Sequence, residues 1–343
     1  MSTVMISRFA ALAIGVALCA PVCVSPAAAA AAKAKITTFD PPGSIGTYPW
    51  RANEDGTIAG FWYDPTDQRN KGFLRAADGT ITSFDHPESK VTAAYGIDND
   101  GIATGYYSVD AGNHPGFLRE TNGTLDIFHA PGDDNGTYPN AISNKGAVVG
   151  TYYDYYSTPH GFLRKASGKI VTFDVKNDTY GTNALDLNES NVVTGHWGSD
   201  DGLVHGFVRA AKGKITSFDA GNGALGTFPQ AIDGAGDVVG YSLDQNYAAR
   251  GFKRAADGTI TPLDIKNAVA TFVTGINDAG DIVGYYEDSN FASHGFLRKA
   301  FGKIQTFEVP GAVATFPNSI NKKGLITGWW MDSAENYHGF LRQ

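Results

Sequence analysis

Thiols are nearly absent from this chain of 343 residues, and its two cysteines, Cys19 and Cys23, both lie near the start. A mature protein that has shed that segment has no disulfide, no thiolate nucleophile and no cysteine-held metal. Charge is sparse at 18% of residues, and the balance is negative at −8. That balance argues against a nucleic-acid partner, which needs a basic face. Moderate acidity otherwise serves solubility and defines no partner. Helical periodicity is missing, since no apolar pattern keeps a 3.6-residue period for three turns. Catalytic signatures are missing too. There is no nucleophile elbow, Ser-His-Asp order, phosphate loop or His-Glu-x-x-His run, and no Asp-x-Asp-x-Asp-Gly calcium loop.

One long apolar run does exist, from Phe9 to about Cys23, with Arg8 before it and the small-residue stretch Ala27 to Ala32 after it. It is shorter than the ~20 residues of a spanning helix and has the three-part layout of a secretory signal. Residues 1–32 are therefore expected to be a signal peptide with its cleavage region, cut near Ala30. Export to the periplasm or beyond follows, with membrane contact only before cleavage. Residues 33–343 are expected to form the folded domain.

Glycine is abundant, at 42 residues, and its placement carries the fold. Gly-Phe pairs begin at Gly72, Gly116, Gly161, Gly206, Gly251, Gly295 and Gly339, in steps of 44 or 45. A second glycine, first at Gly60, and a threonine, first at Thr47, keep the same phase through all seven copies. Such a period marks a repeat architecture. Each copy holds strand-length segments bounded by explicit turns, such as Asn277-Asp278-Ala279-Gly280 and Ala256-Asp257-Gly258. Four strands in ~45 residues match a propeller blade. The expected fold is all-β: a seven-bladed β-propeller of four-stranded antiparallel blades. The first segment, Lys35 to Asp40, matches the outer strand that the last copy lacks, so the N-terminal strand is expected to close the ring. A monomer is expected.

The same pattern predicts roles for repeated side chains. The Phe of each Gly-Phe-Leu-Arg motif is expected in the core. The Arg that ends it is expected to pair with an acid closing the outer strand, such as Asp40, Asp174 or Glu308, across the blade interface. The pairs Asp154/His160, Asp288/His294 and Asp332/His338 are expected to brace hairpins rather than bind metal, because a transition metal wants three or four convergent ligands. No metal and no cofactor is expected.

The combination "GINDAGDIVGYY…HGFLR" resembles bacterial extracellular HAF-repeat proteins, named for a His-Ala-Phe triplet after an Asn-x-x-Gly-x-Val-Val-Gly segment. The resemblance runs from Lys35 to Arg342. The chain departs from it with Gly in place of Ala and with Arg after Phe-Leu. It implies an exported repeat protein of propeller type and assigns no catalytic residue.

Function is expected on the rim of the longer, variable loops. Trp50 and Tyr95 stand at a position that is otherwise polar or small, facing the channel mouth. Tyr48 and Tyr138 follow the repeated threonine and add stacking faces. Arg51 and Asp186 replace small inner-strand residues, and His196 breaks an otherwise aromatic or Thr position. Aromatic faces beside hydrogen-bonding groups suit sugars. The expected function is non-enzymatic binding of a glycan or cell-surface polymer. Two alternatives stay open: a polysaccharide lyase or glycoside hydrolase with a single site at the mouth, and a protein-interaction scaffold.

Overall fold

The computed structural model describes residues 34–109, 114–221 and 224–343. The expected signal peptide lies outside the described residues. Among those described there are 28 strands and no helix, as the missing helical period requires.

The first repeat sets the pattern. Strand β1 (Ile36–Phe39) precedes it, followed by β2 (Gly46–Ala52), β3 (Ile58–Asp64), β4 (Arg69–Arg75) and β5 (Ile81–Phe84). Strands β2 to β5 pair in that order, each antiparallel to the next. The following repeats do the same, with four-stranded sheets such as 137–142, 148–153, 159–164 and 170–173. The last three strands, Ala314–Ile320, Ile326–Met331 and Tyr337–Arg342, take β1 as their fourth, with Ile36 opposite Arg342 and Phe39 opposite Gly339. Short parallel bridges join the third strand of one repeat to the first of the next. Asn70 meets Val91, Val204 meets Gly226, and Tyr337 of the last repeat meets Gly46 of the first.

The repeated glycines have distinct physical causes. Every first strand carries a β-bulge, in repeat 1 between Pro49 and Arg51, and likewise in the six others. The bulge turns a carbonyl toward the second strand. At Gly60 any Cβ would collide with the carbonyl oxygen of Tyr48, so only glycine fits. The motif glycine has a different reason: a Cβ at Gly72 would lie 2.5 Å from the Phe84 ring, which covers it from the next strand.

Packing between repeats is one contact set copied around the chain. Each motif Phe is buried, from Phe73 and Phe117 at 0% to Phe252 at 2% exposure. Phe84 closes the outer strand of repeat 1, meets Phe117 of repeat 2 edge-on at 5.9 Å, and lies under the Arg119 guanidinium at 4.9 Å. Phe39 in β1 makes the same pair of contacts with Phe73 at 6.1 Å and Arg75 at 4.8 Å. Thus β1 pairs with the last repeat and packs on the first.

The expected pairing of the motif Arg with the outer-strand acid is overturned. Six of the seven guanidiniums sit over a Phe of the preceding outer strand. An inter-repeat ion pair forms at Arg164, 3.0 Å from Asp126, and Asp126 is not a strand-closing acid. Across the interface the guanidinium meets the ring that ends the preceding outer strand, as Arg209 meets Phe173 at 4.7 Å, and not the acid that follows that ring. That acid faces the motif histidine instead. His160 lies 2.9 Å from Asp174, His205 2.7 Å from Asp219, His294 2.7 Å from Glu308 and His338 2.8 Å from Asp40.

Candidate functional site: the mouth of the central cavity

The first strands of the repeats surround a central cavity, and the bulge decides what enters it. The residue left unpaired at each bulge is Trp50, Tyr95, Asn140, Leu185, Gln230, Thr274 or Asn318. Six of these seven line a cavity of about 410 Å³ on the long-loop side, and Tyr95 lines its neighbour. A bulge re-aims a side chain without ending the strand, so one backbone device presents seven different residues to one space.

Arg51 and Asp186, three repeats apart, meet across the centre. The guanidinium donates from Nη1 to the Asp186 carboxylate at 2.8 Å. The other carboxylate oxygen accepts the Ile232 backbone N–H at 3.0 Å. Their equivalents, Gly96, Ala141, Ala231, Gly275 and Ser319, are small, so this is the layer where a long side chain can cross. Arg51 lines both the mouth cavity and a smaller one of about 160 Å³ on the tight-turn side. The ion pair stands between the two as a floor.

Above that floor runs a belt of aromatic rings. It passes from Trp329 to Tyr48 at 6.0 Å, Tyr48 to Phe61 at 5.0 Å, Phe61 to Tyr95 at 5.9 Å and Tyr95 to Tyr106 at 5.9 Å. It continues through Tyr138 to Tyr153. On the far side it runs from His196 through Phe228, Tyr241, Phe272, Tyr285 and Phe316 back to Trp329. The belt is interrupted between repeats 3 and 4, where Thr151 and Asn183 hold positions that carry rings in most other copies. There a second cavity of about 460 Å³ opens, lined by Tyr95, Tyr106, Tyr138, Tyr153, Asn140, Thr151, Asn183 and Leu185. It shares Asn140 and Leu185 with the mouth cavity.

The expected site residues therefore separate. Trp50, Tyr48 and Arg51 line the mouth cavity, and Asp186 lies beneath it. Tyr95 and Tyr138 line the gap cavity, with Trp50 edge-on to Tyr95 at 4.9 Å. His196 sits in the belt against Phe228 at 5.4 Å and lines neither cavity. Its Nδ1 is buried without a hydrogen-bond partner, and burial lowers its pKa to about 4. The ring is neutral at ordinary pH. Sequence reasoning missed Tyr106, Tyr153, Thr151 and Asn183. The available signal was strand alternation: the residue just after the second-strand glycine faces the mouth, while the next one packs on the motif histidine, as Tyr152 does on His160 at 5.0 Å.

Burial raises the pKa of Tyr95, Tyr106 and Tyr153, and of Tyr138 to about 12. All four phenols stay protonated donors. Asn140 gives its amide N–H to the Ala184 carbonyl at 2.8 Å, and its carbonyl oxygen has no protein partner among the described residues. The chemistry on offer is apolar ring surface with neutral donors and acceptors.

The long loops around the mouth are held within their own repeats. Asp154 accepts the Tyr156 and Thr158 backbone N–H groups at 2.9 and 2.8 Å and lies 3.5 Å from His160. Asp288 with His294 and Asp332 with His338 repeat the arrangement. The expected hairpin brace is thus present, with each histidine between two carboxylates. No cluster of metal-ligating residues forms among the described residues.

No family model matches this chain, and no curated protein matches it. Solved structures do. A streptogramin B lyase superposes with a TM-score of 0.61 at 15% identity, over 90% of this chain and 98% of that one. Virginiamycin B lyase from Staphylococcus aureus gives 0.59 at 16%, over 91% and 100%. A post-proline cleaving enzyme from Rickettsia typhi gives 0.58 at 12%, over 85% of this chain and 51% of that one. The two lyases are β-propellers, and at such identity the likeness is one of fold. This chain has a β-propeller fold.

Proposed function

We propose that this is an exported seven-bladed β-propeller of the HAF-repeat kind, its ring closed by β1, that binds a glycan at the mouth of its central cavity. The closure rests on β1, which pairs with the last repeat and packs Phe39 on Phe73 and Arg75 of the first. Export rests on the layout of residues 1–32. The observation that carries the binding reading is the break in the aromatic belt, where four tyrosines, two asparagines and a threonine line one cavity. Its volume lies within the ~300–1,000 Å³ of ordinary ligand sites.

A single-site lyase or hydrolase is the second reading; its candidate base, His196, is an imidazole in the belt, although it lines neither cavity. Its other expected participant, Arg51, already holds a carboxylate. Calorimetry against a glycan panel, combined with chromatography for released products, separates the two. Binding without products, weakened by Trp50→Ala and Tyr95→Ala, supports the binding reading. Products that vanish in His196→Phe support the enzyme. Equal binding by wild type and both rim variants would place the site on another surface.

A further inference from the structure

We infer that the sector of repeats 3 and 4 is the recognition surface, and that it takes an uncharged oligosaccharide running outward from the gap cavity across Tyr155, Tyr156 and Tyr180. This deepens the glycan reading and rests on it. Four observations carry it.

The first is the lining. None of the eight residues around the gap cavity is charged at neutral pH, since the raised phenols keep their protons. The second is the state of the nearest cation. Arg51 is held by Asp186 at 2.8 Å, so its charge is already countered, and among the described residues no other guanidinium or ammonium lines the mouth cavity to receive a uronate or sulfate. The loops framing the sector add Asp133, Asp134, Asp154, Asp178, Asp200 and Asp201 against Lys176. His129 and His160 there are each engaged by their own carboxylates. An anionic polymer would meet like charge, which costs affinity.

The third is an unused polar group inside the cavity. Among the described residues the Asn183 side-chain amide has no hydrogen-bond partner in the protein. An amide offers two donors and an acceptor, which suits a sugar with vicinal hydroxyls. The fourth is the exposed aromatics. Tyr155, Tyr156 and Tyr180 are 76%, 82% and 64% exposed. Tyr155 is two residues beyond Tyr153 and Tyr180 is three before Asn183, so their Cα atoms lie at most about 7 and 11 Å from the cavity wall. The loop bearing Tyr155 and Tyr156 is pinned, because the Asn135 amide donates to the Asp154 carbonyl at 2.6 Å and the Tyr155 carbonyl at 3.3 Å. Exposed rings on a held loop lose little entropy on binding. They extend the site from one cavity to a path for several sugar units.

The test is calorimetry on the mature chain with neutral gluco-, manno-, galacto- and xylo-oligosaccharides of graded length, and with oligouronates of matched length, at low and high salt. The expected result is binding of a neutral series, indifferent to salt and tighter with length. Tyr156→Ala should weaken the longer members roughly three- to tenfold, one aromatic contact's worth, and spare the shortest. Asn183→Ala should weaken all of them. Tighter binding of oligouronates, falling with salt, would overturn the neutral class while leaving glycan binding intact. Losses in Trp50→Ala with none in Asn183→Ala or Tyr156→Ala would overturn the sector. No binding of either series would end both this inference and the glycan reading.

Discussion

The two faces of the propeller use the same repeat in opposite ways. On the tight-turn face, polar side chains reach from one repeat to the next. Asn53 donates to the Asp98 carbonyl, Asn188 to Asp233, Asn277 to Asn321, and Asn321 on to Asn53, all at 2.7 to 3.0 Å. Glu54 and Asn99 continue the linkage by donating their backbone N–H groups to the side-chain oxygens of Asn99 and Asn144 in the next turn. On the long-loop face, the mouth residues Asn140, Thr274 and Asn318 bond the next repeat, but the loop carboxylates brace the motif histidines within their own repeats, and the exposed rings Tyr155, Tyr156, Tyr180, Tyr247 and Phe291 are left to solvent. Saturated hydrogen bonding between neighbours makes a face that holds the assembly. Loops braced within their own repeats leave a face free to vary.

The largest test of that contrast is removal of Lys35 to Asp40. It exposes the edge of strand Tyr337–Arg342 and takes Phe39 from Phe73 and Arg75. A fall in melting midpoint of 10 °C or more, on the order of several kcal/mol, should come with association seen by light scattering. An unchanged, monomeric protein would overturn the proposed closure. Next comes Arg51→Ala, which leaves the buried Asp186 without its cation. The expected loss is about 3 kcal/mol in denaturant unfolding, the low end for a buried pair because Arg51 is partly exposed. Arg51→Ala with Asp186→Ala should cost less than the sum of the two. Strict additivity would mean that the pair is not coupled.

Asn321→Ala should follow, at about 1–3 kcal/mol, since it orphans the Asn53 carbonyl and the Leu325 N–H. Glycan affinity should not change, and a change would erase the division of labour between faces. Histidine titration sharpens the contrast within the long-loop face. For His338, burial opposes the proton, but Asp40 and Asp332 together raise its pKa. Its contribution is therefore full below about pH 6.5 and is lost as pH rises through the raised value. For His196, burial lowers the pKa to about 4. The unfolded chain takes its proton near pH 6.5 and the folded chain does not, so stability falls as pH drops from about 6.5 to about 4. His338→Gln should flatten the alkaline limb of a stability profile and His196→Phe the acid limb, each without touching the other. The smallest effect belongs to Lys322→Ala. Its pairs with Glu54 at 3.5 Å and Asp278 at 3.2 Å are half-exposed. A change within about 1 kcal/mol is expected, with binding unaltered.

Much of this was legible from spacing. Three markers in phase placed the strands, the turns and the buried Phe of every motif, because period and turn chemistry are local properties. The matching of Lys35 to Asp40 with an outer strand was equally visible, and the pairing of β1 agrees with it. The partner of the motif Arg was misjudged because charge suggested an acid, whereas across the interface the guanidinium lies over the closing Phe and the acid after it pairs with its own repeat's histidine. Arg51 and Asp186 were visible as deviations from small residues. Their contact was not, because residues three repeats apart meet only when the strands surround a common space.

The chain by itself determined the repeat, the strand order within it and the positions that could vary, since each depends on residues within about 45 of one another. Only the tertiary structure decided what the variations do. The bulge aims one residue per repeat at the centre, so side chains scattered over the whole chain share one cavity. The break in the aromatic belt exists because Thr151 and Asn183 come from successive repeats and fail to fill the same gap. Neither substitution is informative alone; a cavity is the joint consequence of two missing rings, and it forms only where packing brings the absences together.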